Sequence, residues 1–181
     1  MKLLAIFVLY KEDDGKVKVL QDEFNLGSFG YFERYYVKQL LVFSARTITE
    51  RTSLGTRQSV EADQNVNGIV HVYVRPDGLA SVIISDSEYP QRVAHILLSK
   101  VMNDFTTRYP SASCNPQEAD PLMRLEKDLD DTKDILIKTM INVLDRGENL
   151  DDLLARSHDL SSATKEFAKT ARRKNQCCTL F

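Results

Sequence analysis

The sequence predicts an α+β domain over residues 1–110 and, after a short linker, one long coiled-coil helix over residues 122–174. Three observations carry this. Short apolar, β-branched runs separated by turn signals fill much of the first part. Two stretches there repeat their apolar residues at three and four residue steps, the period of a helix. From Leu122 onward the pattern changes to an unbroken 3.5-residue repeat.

Taken in order, Lys2–Tyr10 reads as a continuous apolar strand closed by Asp13-Asp14-Gly15, and Lys16–Gln21 as its half-buried hairpin partner. Tyr31–Arg51 reads as a helix, with Val37, Leu40, Leu41, Ser44 and Ile48 on its repeat and Gly55 beyond its end. Thr56–Ala62, Gly68–Val74 and Leu79–Ile84 read as three strands. The last two are joined by Arg75-Pro76-Asp77-Gly78, where Pro presets φ and Gly accepts a positive one. Pro90 precedes a second helix carrying Val93, Ile96, Leu97, Val101 and Phe105. Helices on one face of an antiparallel sheet are the expected layering. Pro110, Pro116 and Pro121 mark a linker, placed at residues 111–121.

The repeat beyond it occupies positions 122, 125, 129, 132, 136, 139, 143, 146, 150, 153, 157, 160, 164, 167, 171 and 174. Leu122, Leu125, Leu129, Leu136, Val143, Leu150, Leu153, Leu160, Phe167 and Ala171 are apolar, and Thr132, Thr139, Ser157 and Thr164 are small or β-branched. Lys174 falls at the end, which leaves Arg146 as the anomaly. One reading is a side chain snorkelling from the edge of a two-stranded coil. The other is a buried guanidinium that sets register, held by several oxygen acceptors from partner helices in one layer. Ile135, Ile137, Met140, Ile141 and Leu144 widen the apolar surface beyond one seam, which suits three or four helices better than two. Alone in water such a segment should be loose, or held by its own domain.

Val143-Leu144-Asp145-Arg146-Gly147-Glu148-Asn149-Leu150-Asp151-Asp152-Leu153 resembles the centre of an R-SNARE motif, with Arg146 at its ionic layer. The resemblance spans Leu122 to Lys174, and the N-terminal part is similar to a longin domain, a profilin-like fold. Together they point to the prenylated longin R-SNARE, the member without a transmembrane helix. The resemblance implies a role in vesicle-mediated membrane fusion. It implies three Q-type partner helices, each giving a glutamine to the Arg146 layer, and a chain shared between a cytoplasmic pool and the cytoplasmic face of endomembranes such as Golgi, ER, endosomal or vacuolar vesicles. It also implies that the longin domain can fold back on its own SNARE helix and lipids. Leu40 and Phe43 match the family's groove and fit equally well as ordinary core residues. One departure stands out. The family carries a further helical stretch between sheet and SNARE motif, and here only Tyr109–Pro121 lies between them, so the domain is expected without its last helix.

Cys178-Thr179-Leu180-Phe181 fits the C-a-a-X prenylation pattern, with Phe favouring geranylgeranyl. The resemblance implies a prenyl group on Cys178 and a second lipid, fatty acyl or prenyl, on the adjacent Cys177, which agrees with the marginal membrane binding of a single chain. Charge agrees with this placement. Leu122–Leu160 carries six basic and ten acidic residues. Ser161–Lys174 carries five basic and one acidic, with Arg172, Arg173 and Lys174 beside the tail at 175–181.

Other classes find little support. A net charge of −2 argues against general nucleic-acid binding. Leu3–Tyr10 is far shorter than the roughly 20 residues of a membrane-spanning helix, and Lys11-Glu12-Asp13-Asp14 follows it in place of a cleavage site, so a cytosolic chain is expected. No phosphate-binding G-x-x-x-x-G-K-[ST] loop, no CxxC pair and no spacing joining His71, His95 or His158 to Cys114 suggests an enzyme. No cofactor or metal is called for. The remaining alternative is a lipid-anchored coiled-coil tether that associates with itself.

Overall fold

A computed structural model describes residues 2–61, 68–109, 135–144, 148 and 150–177. The elements follow the expected order to within a few residues. They are β1 (Leu3–Lys11), β2 (Val17–Phe24), α1 (Tyr31–Glu50), β3 (Thr56–Glu61), β4 (Gly68–Val74), β5 (Leu79–Asp86) and α2 (Gln91–Arg108). β1 and β2 form the expected antiparallel hairpin, with a register shift between Val8 and Leu9. β1 also pairs with β5, β5 with β4, and β4 with β3, all antiparallel. The Arg75–Gly78 turn forms as the sequence implies. Gly78 has φ +85°, and a Cβ there would stand 2.6 Å from the carbonyl oxygen of Lys11, so glycine is required twice over.

The layering differs from expectation. The helices do not share one face. Phe7 and Leu9 of β1, Val70, Val72 and Val74 of β4, and Ala80, Val82 and Ile84 of β5 pack with Ala45 and Ile48 of α1. Val8, Tyr73 and Leu79, of opposite parity, pack with Met102, Val101 and Phe105 of α2. Successive strand residues point to opposite faces, so α1 and α2 sandwich the sheet. The sequence reason lies in β4 and β5, where nearly every residue is buried instead of every second one.

The α2 side of the sheet is partly polar. Ser85 Oγ donates to the Asp86 carbonyl at 3.1 Å, so it accepts from His71 Nε2 at 3.2 Å. His71 Nδ1 then accepts from Ser59 Oγ at 2.9 Å, and Ser59 in turn accepts from His95 Nε2 at 2.9 Å. The chain of bonds fixes His71 as a neutral ring protonated on Nε2 and makes His95 Nε2 a donor. Burial pushes the His71 pKa down to about 4. Burial, with the His71 and Arg57 charges adding to it, pushes His95 to about 3. Both histidines are fully buried and bonded into this layer.

The larger correction concerns residues 122–174. Among the described residues they do not form one helix. Leu136–Thr139 is a strand, β6; Met140–Val143 a single turn, α3; Leu150–Arg156 and Ser162–Cys177 two helices, α4 and α5. β6 adds to the edge of the sheet beside β3, in parallel, giving the order β2-β1-β5-β4-β3-β6. A 3.5-residue seam is stable as a straight helix only against partner helices. Without them its apolar residues bury against the nearest apolar surface, and the helix breaks where that surface turns.

Candidate functional site: the first helix and the seam residues

α1 runs from Gly30, whose N–H is accepted by the Glu33 carboxylate at 3.1 Å, to a C-terminal end capped by Lys11. The Lys11 ammonium donates to the carbonyls of Glu50 at 2.8 Å and Thr52 at 2.7 Å. A cation there satisfies carbonyls that a helix end leaves open. α1 lies over the sheet on one row of residues, with Ala45 and Ile48 in the main core, Leu41 packed against it and Val37 buried on the same repeat. A second row, Tyr36, Gln39, Leu40, Phe43 and Arg46, faces away from the sheet, at the same three and four residue steps.

That second row receives the SNARE segment. Leu40 and Phe43 pack against Leu154, Leu160 and Ala168. Tyr36 stacks on Phe167 with ring centroids 5.2 Å apart. Thr164, fully buried, donates its hydroxyl to Gln39 Oε1 at 2.6 Å. Arg46 pairs with Asp159 at 2.7 Å, and Arg51 with Glu148 at 2.7 Å in a partly buried position. The pairs 46 with 159, 39 with 164 and 36 with 167 place α5 antiparallel to α1. Upstream, Val143 and Leu144 pack against the main core.

Several expected site residues therefore meet here. Leu160 and Phe167 face α1, and Leu40 and Phe43 line the surface that receives them. Leu153 is half-buried. Leu136 lies in β6 opposite Gln58, and Leu150 begins α4. Arg172, Arg173, Lys174 and Cys177 fall on the last turns of α5. Arg146, Cys178, Leu122, Leu125 and Leu129 lie outside the described residues. The apolar row used here is shifted from the seam. Leu154 and Ala168 are buried beside seam positions Leu153 and Phe167, while Leu160 and Thr164 are seam positions themselves.

Sequence reasoning missed Tyr36, Gln39, Arg46 and Arg51. Their signal was a second apolar-polar row on a helix already assigned one buried face. It also missed β6, whose signal was the β-branched Ile135 and Ile137 around Leu136. Among the described residues no three His, Cys, Asp or Glu gather to hold a metal ion, and no helix is long and apolar enough to cross a membrane.

Comparison with known proteins agrees with this anatomy. The Longin family, described as a Regulated-SNARE-like domain, matches residues 26–127, and the Synaptobrevin family matches residues 121–179. Full-length similarity extends to curated relatives. One is the Synaptobrevin homolog ykt6 of Schizosaccharomyces pombe, 40% identical over 200 residues that cover 99% of this chain and 100% of the relative. Another is Synaptobrevin homolog YKT6 of Yarrowia lipolytica, 39% identical over 204 residues and 100% of both chains. A third is that of Saccharomyces cerevisiae, 35% identical over 196 residues and 96% of both. The 200-position alignment exceeds the 181-residue chain by 19, so the fission-yeast relative carries residues without counterpart here. With a longin sheet, a synaptobrevin segment and full-length relatives of one kind, the chain belongs to the longin R-SNARE family, the synaptobrevin homologues that serve vesicle transport and membrane fusion.

Proposed function

We propose that this R-SNARE exchanges its fold-back contacts for a four-helix bundle with three Q-type helices, and that the exchange is its regulated step. One observation carries the proposal. Leu160, Thr164 and Phe167 are seam positions, and they are occupied against α1. The same side chains cannot face α1 and a bundle core together, so the two states compete. In the bundle, residues 122–174 become one helix and Arg146 takes up three glutamine oxygens, a planar fork meeting several acceptors. Burial of successive layers, about 25 cal/mol per Å² of apolar surface, supplies the work that draws two membranes together. The membrane end is held by lipid on Cys178 and a second lipid on Cys177, helped by Arg172, Arg173 and Lys174 at about 1 kcal/mol each near an anionic leaflet.

The test is assembly of the full chain with a set of Q-type helices. Arg146→Gln should weaken the complex, and a Gln→Arg exchange in one partner should restore it. Absence of rescue removes the ionic layer. A stable homodimer through residues 122–174 that ignores Q-type helices supports a self-associating tether instead. Deleting residues 1–110 should speed assembly, since no fold-back then competes. For the anchor, intact-mass measurement after expression in a prenylating cell should show a modified Cys178 without its last three residues.

A further inference from the structure

Ile137 is an apolar side chain that burial does not explain. In the fold-back form it lies in β6 and is 62% exposed. Its register partner on β3 is Ser59, which is fully buried and bonded to His71 and His95, so the pair across the two strands is not an apolar one. In a bundle, residue 137 follows the seam position 136 by one and precedes the seam position 139 by two. It then lies about 130° around the helix from the middle of the seam. Partner helices cover the seam and its flanks, not that far side.

What differs between the two states at this position is the backbone. Leu136–Thr139 is a strand in the fold-back form and one turn of a continuous helix in the bundle. A β-branched side chain suits the pleated strand and loses χ1 freedom against the preceding turn of a helix. β6 is where such a preference counts most. It is four residues long, pairs in parallel, and is the last strand in the order β2-β1-β5-β4-β3-β6, so it is bonded along one edge alone. Parallel pairing is slightly weaker per residue than antiparallel pairing. A strand this short is held by a narrow margin, and one residue's propensity can move it. Its β-branched neighbours have other uses: Thr139 is a seam position, and Ile135 is half-buried.

We propose that Ile137 acts through backbone preference: its β-branched side chain biases Leu136–Thr139 toward the strand on β3 and against the helix that a bundle requires. The inference rests on the exchange proposed above and names a residue that regulates it. Ile137 is a positioning residue. It fills no layer of the bundle and sets instead the cost of converting strand to helix. That conversion must occur before the seam can run unbroken through residues 136 and 139, so the bias at Ile137 acts on the step between the two states.

Two substitutions in the full chain separate backbone preference from apolar character. Ile137→Leu keeps an apolar side chain of the same size and favours helix. Ile137→Thr removes much of the apolar surface and keeps the β-branch. Amide hydrogen exchange of the free chain is read at Gln58–Glu61 and Leu136–Thr139. Ile137→Leu should raise exchange there about fivefold, from its helix and strand propensities together, while β1, β4 and β5 keep their protection. Ile137→Thr should stay within about twofold of the parent. The opposite order, with the Leu variant protected and the Thr variant exchanging fast, assigns Ile137 an apolar contact and overturns the proposal. Equal exchange in all three chains overturns it as well. Assembly with Q-type helices is then timed on the same chains, and Ile137→Leu should assemble about fivefold faster. If exchange rises as expected and assembly does not quicken, the bias on β6 stands, and the competition between fold-back and bundle is what fails.

Discussion

The ring of Phe167 lies nearly parallel to that of Tyr36, with centroids 5.2 Å and planes 22° apart, so a side chain from the seam of a SNARE motif is spent on a longin helix. The same is true of Leu160 against Leu40 and Phe43. Competition between two uses of one surface makes several measurable statements.

Leu40 and Phe43 contact the SNARE segment and lie off the row of α1 that packs on the sheet. Replacing both with Ser should therefore loosen residues 150–177 and spare the sheet. The expected loss is about 1–2 kcal/mol for each half-buried side chain, toward the low end of large-to-small substitutions. Amide hydrogen exchange checks this. Protection should fall in α4 and α5 and persist in β1, β4 and β5; a uniform fall would show that these residues belong to the main core.

Thr164→Val separates the two states chemically. In the fold-back form it removes the 2.6 Å bond from the hydroxyl to Gln39 Oε1, leaving only the longer 3.5 Å contacts from Ser161 there, at a cost of about 1 kcal/mol. In a bundle seam a β-branched apolar residue is well suited. Assembly with Q-type helices should become faster, without loss of stability in the final complex. Slower assembly would count against competition at this position.

Arg51 and Glu148 join the end of α1 to the centre of the SNARE motif across 97 residues of sequence, at 2.7 Å and partly buried. A double-mutant cycle with Arg51→Ala and Glu148→Ala should return a coupling of about 1 kcal/mol, reduced by salt. Strict additivity of the two single variants would mean that this pair does not hold the segment in place.

His71 and His95 give a pH dependence with a definite sign. Their folded-state pKa values, about 4 and about 3, lie below the ordinary 6.5. Between those limits the unfolded chain binds more protons, so stability falls as pH falls. Each histidine should remove about 2 kcal/mol between pH 6.5 and 5, and nothing further should change above pH 7.5. Urea unfolding at a series of pH values measures the slope. His71→Asn should flatten it, since an amide has no proton to gain; an unchanged slope would place the titrating group elsewhere.

Legibility in the sequence followed the range of the forces involved. The strands from Leu3 to Asp86 and both helices of the domain were readable because turn chemistry and periodicity act within a few residues. The two-faced burial of β4 and β5 was present in their unbroken apolar character, Gly68–Val74 above all, yet the layering was still misjudged. One face of that sheet is closed partly by Ser59, His71, Ser85 and His95, which do not register as apolar. Leu40 and Phe43 fitted two readings because a helix with two used faces shows both in a single repeat.

Sequence alone determined the family and the seam, because a 3.5-residue repeat around Arg146 is a local pattern that survives whatever the chain packs against. Only the tertiary structure decided how much of that repeat becomes helix. Leu136–Thr139 pairs with β3 as a strand, and Leu160, Thr164 and Phe167 are turned toward Gln39, Leu40 and Tyr36. The physical reason is that an apolar seam specifies burial without specifying a partner. Where the three other helices are absent, the second face of α1 and the free edge of β3 are the surfaces within reach.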